Sequence, residues 1–368
     1  MRGCGCACAG NPYDRPHRER KPRMPHEGPD MKQTPQGKIS VVTVTYADRL
    51  SLLERVVESC LSIPAIADVH VVSNNSKSDL GLLTERWGDR VRIMTSPENR
   101  GSAFGFGLGI QSALEGGKPY ILLLDDDNVP TADNIEKLLV ELVQLAPDQG
   151  STSINAVVAT RTFQHQLQMQ GFNAEYVYPR PGSFIGFNLF HRLQRRLMRK
   201  LGAHKVPPGT TAMTVPTGPY GGFLAAREAY AAIGIPDETL CLYSDDAEYT
   251  WRITRNGGAL RLVLDAVIDD IDERQSEKID EPTVFLSLLR SPSTFRLYYS
   301  VRNRVWFECY RRPGNRLIYW LNRMVFMVFM RRTAQRIGWP ENYAVFLSAV
   351  RDGEAGALGI HKDYPLPK

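Results

Sequence analysis

Short runs of apolar, β-branched residues alternate along the chain with stretches whose apolar positions recur every three or four residues, a pattern that predicts strands interleaved with helices. The first run, Ile39 to Tyr46, reads as a strand, and a helix follows through Leu50 to Leu61. Val69 to Ser76 reads as a second strand ending in a turn that offers hydroxyls and amides, and Val91 to Met94 as a short third. Asn99 to Gly109 reads as a glycine-bearing loop that runs into a helix ending near Leu114. Tyr120 to Leu124 is short, wholly apolar and bounded by turn residues, which predicts a strand buried on both faces, with a helix from Ala132 to about Leu145 behind it. Val157 to Thr160 and Leu260 to Ile268 read as further strands, and Arg227 to Ile233 as a helix. Beyond about Asp280 the pattern is helical and basic. Strands alternating with helices imply a parallel, doubly wound sheet.

Residues 1–37 have no hydrophobic period and are rich in Pro, Gly, Arg and His, so a disordered tail is expected there. An α/β domain is expected over residues 38–275 and a mainly helical extension over 276–368. A hydrophobic content of 43% is ordinary and permits a sizeable core. The net charge of +5 suits an acidic substrate or an anionic membrane surface and does not require nucleic acid. No apolar run reaches the length of a membrane span, and the nearest, Leu317 to Met330, is interrupted by Asn322 and Arg323. Cys4, Cys6 and Cys8 crowd the tail while Cys60, Cys241 and Cys309 are scattered, which is no disulfide framework and points to a reducing, cytoplasmic compartment. The tail cysteines match no standard zinc spacing, and the start lacks the apolar core of a secretory signal.

The run from Tyr120 delivers Asp125, Asp126 and Asp127 to its carboxyl end, where ligands sit in open α/β sheets. Alternation along an extended chain points Asp125 and Asp127 one way and Asp126 the other. Clustered carboxylates are costly to bury uncompensated. A divalent cation removes that cost, and Mg2+ or Mn2+ held by one or two carboxylates commonly bridges substrate phosphates. The competing reading is an acidic turn that caps the helix starting near Thr131. A second acidic group follows in Asp245, Asp246 and Glu248, four residues before Arg252 for the last. Helical spacing places Asp245, Glu248 and Arg252 on one face and Asp246 on another. Taken alone, this group also fits an acidic helix start favoured by the macrodipole.

The glycines at 105, 107 and 109 are not a dinucleotide fingerprint, because the third position falls on Ile110 and no strand directly precedes Gly105. They let the backbone approach a phosphate or sugar, or pack the segment tightly on a neighbouring helix. Phe187, Leu189, Phe190, Leu193, Leu197 and Leu201 follow helical spacing among Arg192, Arg195, Arg196, Arg199 and Lys200. Such a basic amphipathic helix lies either in a membrane interface or solvated against the domain.

In order along the chain stand the strand end Thr45–Tyr46, the turn Ser73 to Ser76, the Asn99-to-Gly109 segment, the Asp triplet, and the Asp245–Glu248 group with Arg252. Together they make the chain resemble the inverting, metal-dependent glycosyltransferases of family 2, whose GT-A fold is a Rossmann-like mixed α/β sheet flanked by helices. The bacterial galactofuranosyl- and rhamnosyltransferases are the most similar subgroup, and Tyr299, Arg302 and Asn303 are similar to an element found downstream in it. The likeness runs from roughly Lys38 to Tyr310. It implies transfer of a sugar such as galactofuranose or rhamnose from a UDP- or dTDP-sugar to a cell-surface glycan or lipid-linked saccharide, with the protein peripheral at the inner face of the plasma membrane.

By the same resemblance, Thr45, Tyr46, Asn74, Asn75, Asn99, Gly101, Asp125 and Asp126 meet the nucleotide-sugar, and Asp127 with Asp125 and Asp270 holds Mn2+ or Mg2+. Asp246 is the general base with Asp245 next in line, and Gly221, Gly222 and Arg252 meet the acceptor. Two departures stand out: Ser73 where the family commonly has Asp, and Asp269–Asp270 where it often supplies a histidine ligand. The alternative is a catalytically silent nucleotide-sugar-binding protein of the same fold. A sugar nucleotidyltransferase is disfavoured because the expected Gly-rich, Arg/Lys-bearing loop after the first strand is absent.

Overall fold

In the computed structural model, which describes residues 37–145, 154–272 and 283–367, the Val- and Leu-rich runs become the centre of an eight-stranded sheet. β1 (Ile39–Ala47), β2 (Ile66–Ser76), β3 (Val91–Ser96) and β4 (Tyr120–Asp125) are parallel, in the order β3-β2-β1-β4. β1 and β4 are largely apolar on both sides because both faces are covered, whereas β3, at the edge, leaves Arg92 and Thr95 exposed. α1 (Leu50–Ser62) and α4 (Ala132–Gln144) pack on one face through Leu53, Val57, Ile135 and Leu138. α2 (Gly81–Trp87) buries Leu83 in the same cluster. α3 (Ser102–Gly116) covers the other face through Phe106 and Ile110.

The parallel expectation holds only to β4. β5 (Ala156–Thr160) and β8 (Leu260–Val267) are parallel to one another, but β7 (Phe223–Ala226) lies between β4 and β5 and runs antiparallel to both. β6 (Ala212–Thr214) pairs antiparallel with β8 at the edge. The sheet is therefore mixed, as the GT-A likeness implies. With three and four residues, β6 and β7 are too short to show a period.

The Asn99-to-Gly109 segment is a loop only as far as Gly101; α3 begins at Ser102. A Cβ on Gly105 would collide with Val44, and one on Gly109 with Val42. The close approach these glycines permit is that of a helix to β1, not of a phosphate or sugar to the backbone.

Between β5 and β6, α5 (Gln166–Met169) and α6 (Ala174–Val177) precede α7 (Leu189–Lys200), the basic helix. Only His191 and Met198 of α7 are buried. Phe190, Leu193 and Leu197 are at least half exposed, and Leu201 is 70% exposed, so the apolar edge faces away from the domain. α8 (Arg227–Ile233) and α9 (Asp245–Arg255) follow and bury Tyr230 and Tyr249 beneath the sheet face covered by α3.

The C-terminal region has a core of its own. α10 (Val284–Leu289), α11 (Thr294–Trp306), α12 (Arg316–Arg336) and α13 (Asn342–Ala355) gather Tyr298, Tyr299, Phe326 and Phe346. Among the described residues no helix is long and apolar enough to cross a membrane. The tail with Cys4, Cys6 and Cys8, and the boundary expected at 275–276, lie outside the described residues.

Candidate active site

The carboxyl ends of β1 and β4 lie side by side, with Val44 paired to Asp125. Asp125 ends β4, and Asp126 and Asp127 follow in a turn closed by the Asn128 N–H on the Asp125 carbonyl at 3.1 Å, where the three aspartates part company. Asp126 turns toward β1, accepting from Thr45 Oγ1 at 2.7 Å and from Arg49 Nε at 3.0 Å. Asp125 and Asp127 group instead with Asp270, delivered just beyond β8, and one oxygen from each lies within 4.8 Å of the others. Asn128 ties the turn together, accepting from the Asp125 N–H at 3.1 Å and donating to Asp270 Oδ1 at 2.7 Å. Asp269 is engaged elsewhere, accepting from the Thr162 N–H and hydroxyl at 2.6 Å each. Of the two late aspartates, Asp270 alone joins the cluster.

Two arginines that sequence reasoning missed complete this wall. Arg49, immediately before α1, donates to Asp127 at 2.9 Å and Asp272 at 2.7 Å as well as to Asp126. Arg161, immediately after β5, donates to Asp125 at 2.6 Å and also to Asp270. Isolated arginines in a chain with 45 Lys and Arg carry no motif; the unpaired acidity of the triplet was the sole hint that cations had to be near it. His165 accepts from the Arg161 N–H at 3.0 Å, and burial beside that guanidinium pushes it down to about 4, so it stays neutral.

Five carboxylates (Asp125, Asp126, Asp127, Asp270 and Asp272) thus face two guanidinium groups. Burial, with Asp125, Asp270 and Asp126 adding to it, pushes Asp127 up to about 7. Burial also raises Asp126. The excess of negative charge and the all-oxygen donor set fit a hard dication such as Mg2+ or Mn2+. Asp125, Asp127 and Asp270 are the residues that would hold it.

The opposite wall is the start of α9. Asp245 is buried and accepts from Ser102 Oγ at 2.7 Å, which joins it to the first turn of α3. Asp246 is half-buried and accepts from the Ala247 N–H at 2.7 Å. Burial raises both carboxyls above their ordinary range, with Asp246 adding to the shift on Asp245 and Asp125 to that on Asp246.

Between the walls lies a pocket of about 730 Å³. Tyr46, Asn74, Asn99, Gly101, the Asp triplet, Asp270, Asp245 and Asp246 all line it. Asn74 shapes its α3 side, donating to Asn99 Oδ1 and the Gly101 carbonyl at 3.0 Å each. At that helix start the Gly101 N–H donates to Asn99 Oδ1 at 3.1 Å and the Ala103 N–H to the Cys241 carbonyl at 3.2 Å. The C-terminal region contributes Phe295, Arg296, Leu366 and Pro367, and the Pro367 carbonyl accepts from Asn99 Nδ2 at 2.9 Å. No sequence signal brought those residues to the site, because the contact spans 268 positions.

Other expected residues sit behind the lining. Thr45 is buried beneath the pocket on Asp126. Asn75 occupies a left-handed turn position with φ 60°. Ser73 Oγ accepts from the Ser76 N–H at 3.3 Å within the same turn. Gly221, Gly222 and Arg252, expected at the acceptor, are each held in close packing or pairing within the domain. Gly221 leaves no room for a Cβ between Asn128 and Arg161, and Gly222, with φ +84°, lies against Ala159. Arg252 pairs with Glu248 at 2.6 Å and donates to the carbonyls of Ile233 and Ile235.

The family model for glycosyl transferase family 2 matches residues 40–208, taking in β1 to α7 with the Asp triplet and stopping short of Asp245. No curated protein matches the chain. Among solved structures, GalNAc-T7 with UDP, GalNAc and Mn2+ is 16% identical over 75% of this chain and 49% of its own, with a TM-score of 0.48. S. aureus TarS 1–349 in complex with UDP-GlcNAc is 13% identical over 86% of this chain and 80% of its own, with a TM-score of 0.47. The mannosyltransferase PcManGT from Pyrobaculum calidifontis in complex with GDP-Man and Mn2+ is 13% identical over 87% and 88%, with a TM-score of 0.45. The chain spans about half the length of the GalNAc-T7 structure. At such identities and TM-scores these three say nothing of its substrates. Over residues 40–208 this chain is similar to the glycosyl transferase family 2 domain.

Proposed function

We propose that the protein is a metal-dependent, inverting glycosyltransferase that moves a sugar from a nucleotide-diphosphate donor to a glycan or lipid-linked saccharide. The observation that carries this reading is the pairing, across one pocket, of the Asp125–Asp127–Asp270 cluster with Asp245 and Asp246. The diphosphate of a donor would lie between the start of α3 and the Asp triplet, with Tyr46 and Asn74 beside the nucleoside. A dication on the three carboxylates would neutralise charge developing on the diphosphate leaving group. Asp246 takes the acceptor hydroxyl's proton, and its raised ionisation makes it a stronger base than an ordinary carboxylate. Asp245, held by Ser102, is next in line. A single displacement inverts the anomeric centre. The reading takes residues 38–275 as the GT-A domain and 276–368 as a helical extension that closes the pocket.

The donor sugar we favour is UDP- or dTDP-linked, galactofuranose or rhamnose, and the place of work is the cytoplasmic face of a membrane. Support for the membrane comes from the outward apolar edge of α7 amid its arginines and from α12, where Leu317 is 79% and Trp320 56% exposed. Exchanging Arg195, Arg196 and Arg199 for Glu should release the protein from anionic liposomes; a parent that never binds them removes this part of the reading.

A non-transferring nucleotide-sugar-binding protein is the second reading, and Arg161 favours it by lying across Asp125 and Asp270, where a cation would sit. Calorimetric titration with UDP and dTDP, with and without Mn2+, decides between them. Binding that requires Mn2+ supports the transferase and selects the base. Binding indifferent to Mn2+ supports the second reading, and no binding of either nucleotide removes both.

A further inference from the structure

The chain just before Asp245 follows a course that few sequences adopt. Cys241, Tyr243 and Ser244 have φ values of 62°, 65° and 58°, the left-handed region that favours glycine, yet none is glycine. Something outside the loop must hold it there.

On one side the hold is α3. Ala103 N–H donates to the Cys241 carbonyl at 3.2 Å, and a Cβ on Gly101 (φ +89°) would strike that same carbonyl. On the other side it is α11. Asn303 is fully buried, and its side-chain amide donates to the carbonyls of Leu240 at 2.7 Å, Leu242 at 2.8 Å and Tyr243 at 3.0 Å. Arg302, 1% exposed, steadies that amide by donating Nε to Asn303 Oδ1 at 2.8 Å. Its remaining donors reach the Gly359 carbonyl at 2.5 Å and the Leu240 carbonyl at 3.4 Å. A guanidinium that is buried to serve main-chain carbonyls is costly to desolvate, and what it secures here is one loop course. Tyr299, one turn earlier on the same helix face, accepts from the His361 N–H at 2.9 Å and brings the C-terminal segment into the same arrangement.

We infer that Arg302 and Asn303 are positioning residues, which hold the loop from Thr239 to Ser244 in its left-handed course and thereby aim Asp245 and Asp246 into the pocket. The consequence for transfer rests on the proposed role of Asp246; the hold on the loop does not.

The test uses the full chain with Asn303→Ala, and Arg302→Lys beside Arg302→Met as a second pair. Hydrogen exchange followed by mass spectrometry should show amides of the 239–246 segment exchanging about tenfold faster or more in Asn303→Ala, with the β4 segment unchanged. Turnover should fall about 10²-fold, as for a small misplacement of a reacting group, while UDP affinity in Mn2+ stays at the parent value. Arg302→Lys should recover part of what Arg302→Met loses. Parent-rate exchange of the loop in folded Asn303→Ala overturns the inference, as does a turnover loss matched by an equal loss of UDP affinity. If Asn303→Ala does not fold, the Arg302 pair carries the same comparison. Faster loop exchange in a protein whose parent transfers no sugar leaves the hold standing and removes the transferase reading instead.

Discussion

The two walls of the pocket present acidic groups by opposite means. At the ends of β1 and β4, carboxylates are crowded on rigid strands and made tolerable by side-chain cations, Arg49 and Arg161. At the start of α9, Asp245 and Asp246 form no ion pair among the described residues and depend on backbone placement: a left-handed loop, a serine hydroxyl, and a helix start whose dipole favours negative charge. The first wall is an electrostatic problem that a bound dication would finish solving. The second is a geometric one. A donor's phosphates can exploit the first because they bring oxygens that share a cation, whereas proton removal needs a base at one place and in one ionisation state.

That contrast can be broken most sharply at Asp246. Asp246→Asn should lower transfer by about 10²–10⁴-fold, the range for a lost general base, with calorimetric donor affinity preserved; undiminished turnover would remove Asp246 from the role. Next comes Arg49→Met, which leaves Asp126, Asp127 and Asp272 buried without their shared partner. Urea unfolding should show a loss of about 3–5 kcal/mol, typical of a broken buried pair. Replacing Ser102, which serves the other wall through one hydrogen bond, should cost nearer 1 kcal/mol.

Asp125→Asn should weaken Mn2+ binding by at least the 10–100-fold that even outer-shell losses cause, and Asp245→Asn should leave it unchanged. Equal effects of the two would mean that the walls are not separate devices. The smallest effect is on the pH profile. Because burial raises Asp245 and Asp246, acidification protonates the base earlier than it would an ordinary carboxylate, and turnover should begin to fall from above that range. A profile flat down to about pH 4, the normal carboxylate value, would contradict it.

Much of the strand wall was legible in the chain. An apolar run ending in three aspartates is a local pattern, and the expected parting of Asp126 from Asp125 and Asp127 is found, although Asp126 and Asp127 lie in a turn after β4 and Arg49 bridges them. The grouping with Asp270 followed from family likeness and was not a local signal. Its partners were hidden: Arg49 and Arg161 stand 77 and 36 positions from the aspartates they meet. Two groups of glycines pack elements closely. Of the two readings open for Gly105 and Gly109, ligand approach or tight packing, the second holds, with a helix packed on β1, while Gly221 and Gly222 stand directly before β7.

The sequence by itself determined the order of strands and of α1, α3 and α4 through residue 145, though not α2, together with the acidic ends that a sheet of this kind brings to one edge and the basic, one-sided character of α7. These depend on neighbours three or four residues away at most, where periodicity and turn chemistry act. Tertiary structure alone decided the antiparallel insertion of β7 between β4 and β5, the guanidinium partners of the Asp triplet, and the hold of Asn303 on the loop before Asp245. Each of those is a contact between distant segments, and its energy exists only once burial has removed the water that would otherwise satisfy the same charges and carbonyls.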